Sequence, residues 1–276
     1  MTEGSEGRPD AQWPPPSMDF SKPTIARAYD ALLGGKDNYA ADRALAEFAT
    51  ENIPGLKESA RENRRVLVRG VRHLAAEVGV DQFLDLGSGL PTVQNTHEVA
   101  QAHNPAARVV YVDIDPLVTV HGQAILAEND RTRVFTGDVR DPAEVLSRPE
   151  ARALLDFDRP IALMLVGMLH YLSPEVADEV VSAYRDALAP GSYLFVTSLV
   201  DTGLPAQQEL ARITRENLEE GWARTPEDIE YHFGDFELIE PGLTYTALWR
   251  PDNLVDANNL APGEQLGMAG IALKKK

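Results

Sequence analysis

The stretch Gln82–Thr92, QFLDLGSGLPT, decides how the rest of the chain is read. It is an apolar run broken by Asp85, then two glycines one residue apart, Gly87 and Gly89, then Pro91 and Thr92 where a helix is expected to begin. A strand that ends in a glycine turn and feeds a helix is the ligand-binding corner of a doubly wound α/β sheet, where ligands lie outside the carboxyl ends of the strands. Glycine there lets the backbone turn sharply and lets a ligand approach without meeting a Cβ. The spacing alone also fits a plain tight turn, so the surrounding chain has to decide.

From Gly79 onward, short apolar runs alternate with helical segments. The runs are QFLDLG, RVVYVDI, RVFTGDV, IALMLVGML and SYLFVTSLV; their near-continuous Val, Ile and Leu is what strands buried on both faces look like. Between them PTVQNTHEVAQAHN, PLVTVHGQAILAEND and SPEVADEVVSAYRDALAPG read as helices. This alternation predicts an α/β fold with a doubly wound, mostly parallel sheet. In the last third, PAQQELARITRENLEEGW and TPEDIEYHF are helical, and FELIEPGLTYTALWRP and GMAGIALKKK read as two closing strands, which brings the expected sheet to seven.

Upstream the texture is helical. Residues 1–20 are rich in Gly, Pro and Glu and read as a flexible leader. PTIARAYDALL has helical spacing with Pro23 in its first turn, Gly34 and Gly35 stop it, YAADRALAEFAT is a second helix, and a third starts near Leu56 and ends at Gly79. Residues 21–79 are expected to form a helical cap, and 80–276 the core.

Three acidic residues at matching strand ends indicate which ligand the turn takes. Asp113 ends the second run, where a carboxylate can accept from both ribose hydroxyls of an adenosine group. Asp138, in Gly137–Val139, ends the third, within reach of an adenine amino group, and Asp85 faces the first turn. A dinucleotide fingerprint needs G-x-G-x-x-G, and here Thr92 occupies the third glycine position. The G-x-x-x-x-G-K-[ST] phosphate loop is also missing. The pattern favours adenosine without phosphates, which describes S-adenosylmethionine; a nicotinamide-dependent oxidoreductase binding NAD is the less favoured alternative.

The order of these blocks resembles the seven-stranded, Rossmann-like class of S-adenosylmethionine-dependent methyltransferases. The likeness extends to a bacterial family of unknown substrate through IARAYDALLGGKDNYAADR, ARENRRVLVRGVRHL, QFLDLGSGLPT, ARVVYVDIDP, VRDP and ALAPGSYL. Pro91, where many members of the broader class carry a third glycine, departs from the pattern. The resemblance implies that Gly87, Ser88 and Gly89 wrap the methionine part, Asp113 binds the ribose, Asp138 and Val139 hold the adenine, and Ile114 packs on its ring. The sulfonium methyl would point toward LVGMLHYL, where His170 is the candidate general base. The LLGGKDNY corner would close as a lid, with Gly34 and Asn38 reaching the cofactor's amino-acid end.

The bulk properties narrow the partners. The chain has 276 residues and a formal charge of -17, which repels phosphate backbones, so the expected methyl acceptor is a small molecule and not nucleic acid. No apolar run approaches the roughly 20 residues of a membrane span. No cysteine is present and the first residues hold no apolar export core, so a cytoplasmic protein is expected. The histidines show no ligand spacing, and no metal is expected. A protein that binds S-adenosylmethionine without turning it over is the main alternative.

Overall fold

The computed structural model of the chain describes residues 19–125 and 129–275, so the expected leader lies outside them apart from Asp19 and Phe20. The five central strands are β1 (Gln82–Leu86), β2 (Arg108–Asp113), β3 (Thr132–Thr136), β4 (Ala162–Val166) and β5 (Tyr193–Leu199), all paired in parallel. Strand β8 (Gly267–Leu273) returns antiparallel to β5. The two-residue strands β6 (Glu237–Leu238) and β7 (Thr244–Tyr245) pair with β8. The sheet order is β3-β2-β1-β4-β5-β8-β6, with β7 beside β8. The doubly wound, mostly parallel sheet is therefore as expected, with one more strand than the seven. FELIEPGLTYTALWRP yields two short strands because Pro241 and Gly242 turn the chain, the Gly242 N–H donating to the Ile239 carbonyl.

The strand order reverses at β1, whose neighbours are β2 and β4, so a crevice opens above the carboxyl ends of these strands. Side chains alternate along each strand. Phe83, Val109, Tyr111, Met164 and Phe195 fill one face, and Leu84, Leu86, Val110, Leu163 and Val196 the other. Helix α8 (Pro174–Ala187) packs on the second face through Ala177, Val180, Val181 and Tyr184.

The helical front begins with α1 (Ile25–Leu33), capped by Thr24, so Pro23 lies just outside it. Helices α2 (Ala40–Asn52) and α3 (Leu56–Arg72) follow, and one π-helical stretch, His73–Val78, carries α3 to Gly79. Val66, Leu67, Val71 and Leu74 of α3 and its extension are buried against Phe83, Phe195 and Trp249, which makes α3 a layer on the sheet. Buried Arg69 fixes it there, donating to Glu62 Oε1, to the Trp249 carbonyl and to the Thr246 carbonyl. Helices α1 and α2 instead meet α9 (Pro205–Leu218) in a separate apolar cluster with Leu199 and Leu266, above the strand ends.

Helix α4 (Thr96–His103) starts five residues later than Pro91. The start signal is Asn95-x-x-Glu98: the Glu98 carboxylate accepts from the Asn95 N–H at 2.7 Å. Helix α5 is Pro116–Ile125. Two short helices went unread in the sequence, α6 (Pro142–Ser147) and α7 (Pro149–Arg152), each opening on a proline. Helix α10 is Pro226–Tyr231.

Phe195 sits fully buried at the centre of the α3-facing core. Phe195→Ala should cost about 3 to 5 kcal/mol of unfolding free energy, measured by urea denaturation. Phe48→Ala, at a position 45% exposed, should change it by no more than about 0.5 kcal/mol. A Phe195→Ala loss as small as the Phe48→Ala loss would contradict this packing.

Candidate functional site

At the end of β1 the chain turns through Gly87 and Gly89, with φ of 70° and 67°. Only glycine adopts this region without strain, and a Cβ on Gly87 would also lie 2.1 Å from the Met168 sulfur. The turn's amides point inward. Gly87 N and Ser88 N donate to the Val112 carbonyl at 2.7 and 3.2 Å, and Gly89 N donates to Asp113 Oδ2 at 2.8 Å. The other Asp113 oxygen accepts from Asp115 N at 2.9 Å. A loop whose amides are spent on the neighbouring strand β2 is no anion nest, and the site's charge has the opposite sense.

That charge is carboxylate. Burial pushes Asp113 up to about 6 against the two backbone hydrogen bonds that favour its ionised form. Asp85 shares the face of β1 that meets α4, and Thr96 Oγ1 donates to its Oδ2 at 2.7 Å. Burial likewise pushes Asp85 up to about 6. Ile114, next to Asp113, leaves its side chain 57% exposed, an apolar surface on the rim.

A cavity of about 660 Å³ lies between these strand ends and helices α1, α2 and α9. Asp85, Gly87, Ser88, Gly89, Asp113, Ile114, Asp138, Val139 and His170 all border it, so the turn brings most of the expected site together. Gly34 and Asn38 do not. Gly34 ends α1 with φ 80°, its N–H donating to the Ala31 carbonyl. Asn38 is buried, its amide donating to Asp30 Oδ2 and the Gly35 carbonyl while its oxygen accepts from Arg43. Both are used up in holding the corner, and Tyr29 and Leu32 of α1 reach the cavity instead.

Two other expected residues sit where foreseen with different bonding. The Asp138 carboxylate accepts from Arg140 Nε and Nη2 at 2.9 and 2.8 Å. Burial would raise its pKa, but the Arg140 hydrogen bonds prevail and hold it below the usual carboxylate range. Arg140 also reaches Glu220 at 3.3 Å, bridging the β3 end to the segment after α9. His170 Nδ1 accepts from the Leu199 N–H at 3.3 Å. The neutral ring must then carry its proton on Nε2, and burial drives its pKa down to about 3. As a general base His170 is therefore badly placed: its lone pair is occupied, and it offers the cavity a donor.

Several residues at the site carried no signal strong enough to single them out. Arg64 of α3 borders the cavity and donates to the Gln94 carbonyl at 3.1 Å. Buried Arg224 donates to the carbonyls of Leu169 and Leu172, both at 2.7 Å, fixing the turn that bears His170. Thr24 Oγ1 donates to Asp115 Oδ2 at 2.8 Å, tying α1 to the residue that braces Asp113. Tyr29, Asn63 and Thr197 form a chain of hydrogen bonds to Gly167 N across α1, α3, β5 and β4. Such long-range pairings leave no periodic trace in sequence. Among the described residues, no group of three or more His, Asp or Glu could hold a metal ion.

A doubly wound sheet with buried carboxylates bordering a cavity at its switch point is the architecture of a nucleotide- or nucleoside-binding class. The comparisons with known proteins make it specific. Residues 11–275 match the S-adenosyl methyltransferase family, and the chain belongs to that family, whose cofactor is S-adenosylmethionine. The crystal structure of a candidate methyltransferase from Thermobifida fusca YX superposes with a TM-score of 0.94 at 75% identity, covering 96% of this chain and 100% of that one. A DUF574 family protein from Streptomyces avermitilis MA-4680 does so with a TM-score of 0.86 at 35% identity, covering 93% and 99%. A curated relative from Mycobacterium avium (strain 104), named a candidate S-adenosyl-L-methionine-dependent methyltransferase, is 29% identical over 204 residues, 68% of this chain. This chain spans 61% of that relative's length.

The pocket's pH dependence follows from its carboxylates. An ionised carboxylate is a stronger acceptor for a hydroxyl than its protonated form, and the free protein's Asp113 and Asp85 take up protons as pH falls through about 6. Cofactor affinity should thus be flat above neutrality and fall below pH 6, with net proton release on binding near pH 6. Calorimetry in buffers of different ionisation enthalpy reads that release. Asp113→Asn should reduce it, and an affinity that ignores pH between 5 and 8 would contradict the assignment.

Proposed function

We propose that this chain transfers the methyl group of S-adenosylmethionine to a small-molecule acceptor held in the same cavity. The observation that carries the reading is the strand-end turn with its amides directed inward and the carboxylates of Asp85 and Asp113 facing the cavity. Such a pocket suits a neutral ribose and a cationic amino-acid tail, and it repels a pyrophosphate. That favours S-adenosylmethionine over NAD. The chain's charge of -17 supports a small acceptor over nucleic acid. The absence of cysteine supports action in the reducing cytoplasm.

Asp113 would accept from the ribose hydroxyls through the lone pairs its two backbone donors leave free. Ile114 and Val139 would flank the adenine, and Asp138 would accept from its amino group by sharing its oxygens with Arg140. Gly87, Ser88 and Gly89 would wrap the methionine part, whose ammonium would face Asp85 and whose carboxylate would face Arg64. Bound, the cofactor supplies a methyl group activated on a sulfonium. The chain's contribution is alignment of the acceptor and exclusion of water beneath α1 and α2. His170 would donate from Nε2 to the acceptor, and the proton that the acceptor loses on methylation would pass to bulk solvent when the site opens to release the products.

A second reading, binding without turnover, draws on the same observation about His170: its lone pair is not available as a base. Incubation with methyl-labelled S-adenosylmethionine and a panel of neutral hydroxyl and amine compounds separates the two. Label on an acceptor, with one S-adenosylhomocysteine formed per transfer, supports the transferase; label retained on the cofactor across the panel supports the binder. Arg64→Ala should weaken S-adenosylhomocysteine roughly tenfold or more, the loss of a charge-assisted pair, and leave adenosine binding unchanged. Equal losses for both ligands would remove Arg64 from the tail.

A further inference from the structure

We propose that the part of the cavity beneath α1, α2 and α9 is the acceptor site, and that it takes an uncharged, mainly apolar molecule whose oxygen lies between His170 Nε2 and the Tyr171 hydroxyl. This rests on the methyltransferase reading. Three observations select the chemistry. The first is the wall: Leu32, Leu45, Ala49, Leu210, Ile213 and Leu218 border the cavity there. Two polar side chains among them turn a donor back onto the helix, Thr214 Oγ1 to the Leu210 carbonyl at 2.8 Å and Asn217 Nδ2 to the Ile213 carbonyl at 2.8 Å. An apolar body loses nothing against such a wall and gains from leaving water.

The second observation is the pair of polar groups that remain. His170 and Tyr171 border the cavity with ring centroids 4.2 Å apart. Because the Leu199 N–H occupies His170 Nδ1, the ring presents Nε2–H. The Tyr171 hydroxyl makes no hydrogen bond to the described residues and is able to donate or accept. The turn that carries both is rigid: Arg224 holds the carbonyls on either side, and the His170 carbonyl accepts from Trp222 N at 2.8 Å. A donor at His170 Nε2 beside a hydroxyl that donates or accepts at Tyr171 suits the oxygen of a neutral hydroxyl compound.

The third observation is where the charges lie. Arg27 is engaged by Asp42 at 3.4 Å and faces Asp115 at 3.9 Å, and Arg140 is engaged by Asp138 and Glu220. Glu219 and Glu220 border the cavity just past the C-terminal end of α9, so a charged ligand seated against Leu45, Ala49, Leu210 and Ile213 themselves would be desolvated among apolar side chains, which costs more than the contact returns.

The test uses the full chain saturated with S-adenosylhomocysteine and three matched probes: 1-naphthol, 1-naphthoate and 1-naphthylmethylammonium. Binding is followed by naphthyl fluorescence and calorimetry. Naphthol should bind saturably, about tenfold or more tighter than either charged probe. His170→Leu should weaken naphthol about fivefold or more, with S-adenosylhomocysteine affinity unchanged. Tyr171→Phe, the milder change, should act in the same direction and covers the case in which His170→Leu does not fold. Tighter binding of a charged probe, failure of naphthol to bind the saturated protein, or full naphthol affinity in Tyr171→Phe and His170→Leu would overturn the proposal while leaving the cofactor reading standing. Failure of S-adenosylhomocysteine to bind would bring down both.

Discussion

Asp113 is the point on which the site turns. Its carboxylate is almost fully buried at the end of β2, yet it is held open by Gly89 N on one oxygen and Asp115 N on the other. Those two hydrogen bonds join the β1 turn, the β2 end and the start of α5 into a single frame. Burying a carboxylate is costly, and the cost appears as a pKa raised to about 6. A protein that retains this arrangement has a group poised to accept from a ligand that restores what burial removed. The orientation of the Gly87–Gly89 amides follows from the same frame, and with it the choice of a phosphate-free ligand.

The helical front is fastened to that frame. Thr24 caps α1 and donates to Asp115, one residue beyond Ile114 and two beyond Asp113. Arg27 donates to Thr24, faces Asp42, and lies 5.5 and 5.6 Å from the ring centroids of Phe20 and Tyr39, which stack on each other. His121 of α5 approaches Asp37 at 3.3 Å, a second tie between the corner and the core. The corner therefore connects to the cofactor side through α1's first turn, and the backbone of LLGGKDNY serves to shape it. Helix α3 has a different role: it is anchored to the sheet through Val66, Val71 and Arg69, and forms the fixed wall against which α1 rests.

Much of the fold was legible because buried parallel strands are written as continuous apolar runs, and QFLDL, RVVYVD and ALMLV each became a strand at nearly the expected bounds. The acidic strand ends were legible for the same reason: once the strands are placed, their carboxyl ends are placed too. What failed to show was tertiary. Gly34 and Asn38 look like free binding groups in sequence, but Asp30, eight residues before Asn38, takes up its amide. His170 looks like a base until the Leu199 N–H, on another strand, occupies Nδ1. Arg64, Arg224 and Glu220 matter through partners that are distant in the chain. The late start of α4 was readable, in Asn95 and Glu98, but Pro91 drew the boundary forward.

The central claim is that the β1 turn builds a pocket for an adenosyl group without phosphates, governed by Asp113. Parallel calorimetric titrations of the full chain and of Asp113→Ala with S-adenosylmethionine, S-adenosylhomocysteine and NAD test it most directly. The account requires saturable binding of both adenosyl compounds, none of NAD, and a loss on Asp113→Ala of roughly 2 to 3 kcal/mol, set by hydrogen bonds to a charged acceptor. NAD binding at comparable affinity, or wild-type affinity in Asp113→Ala, would contradict it.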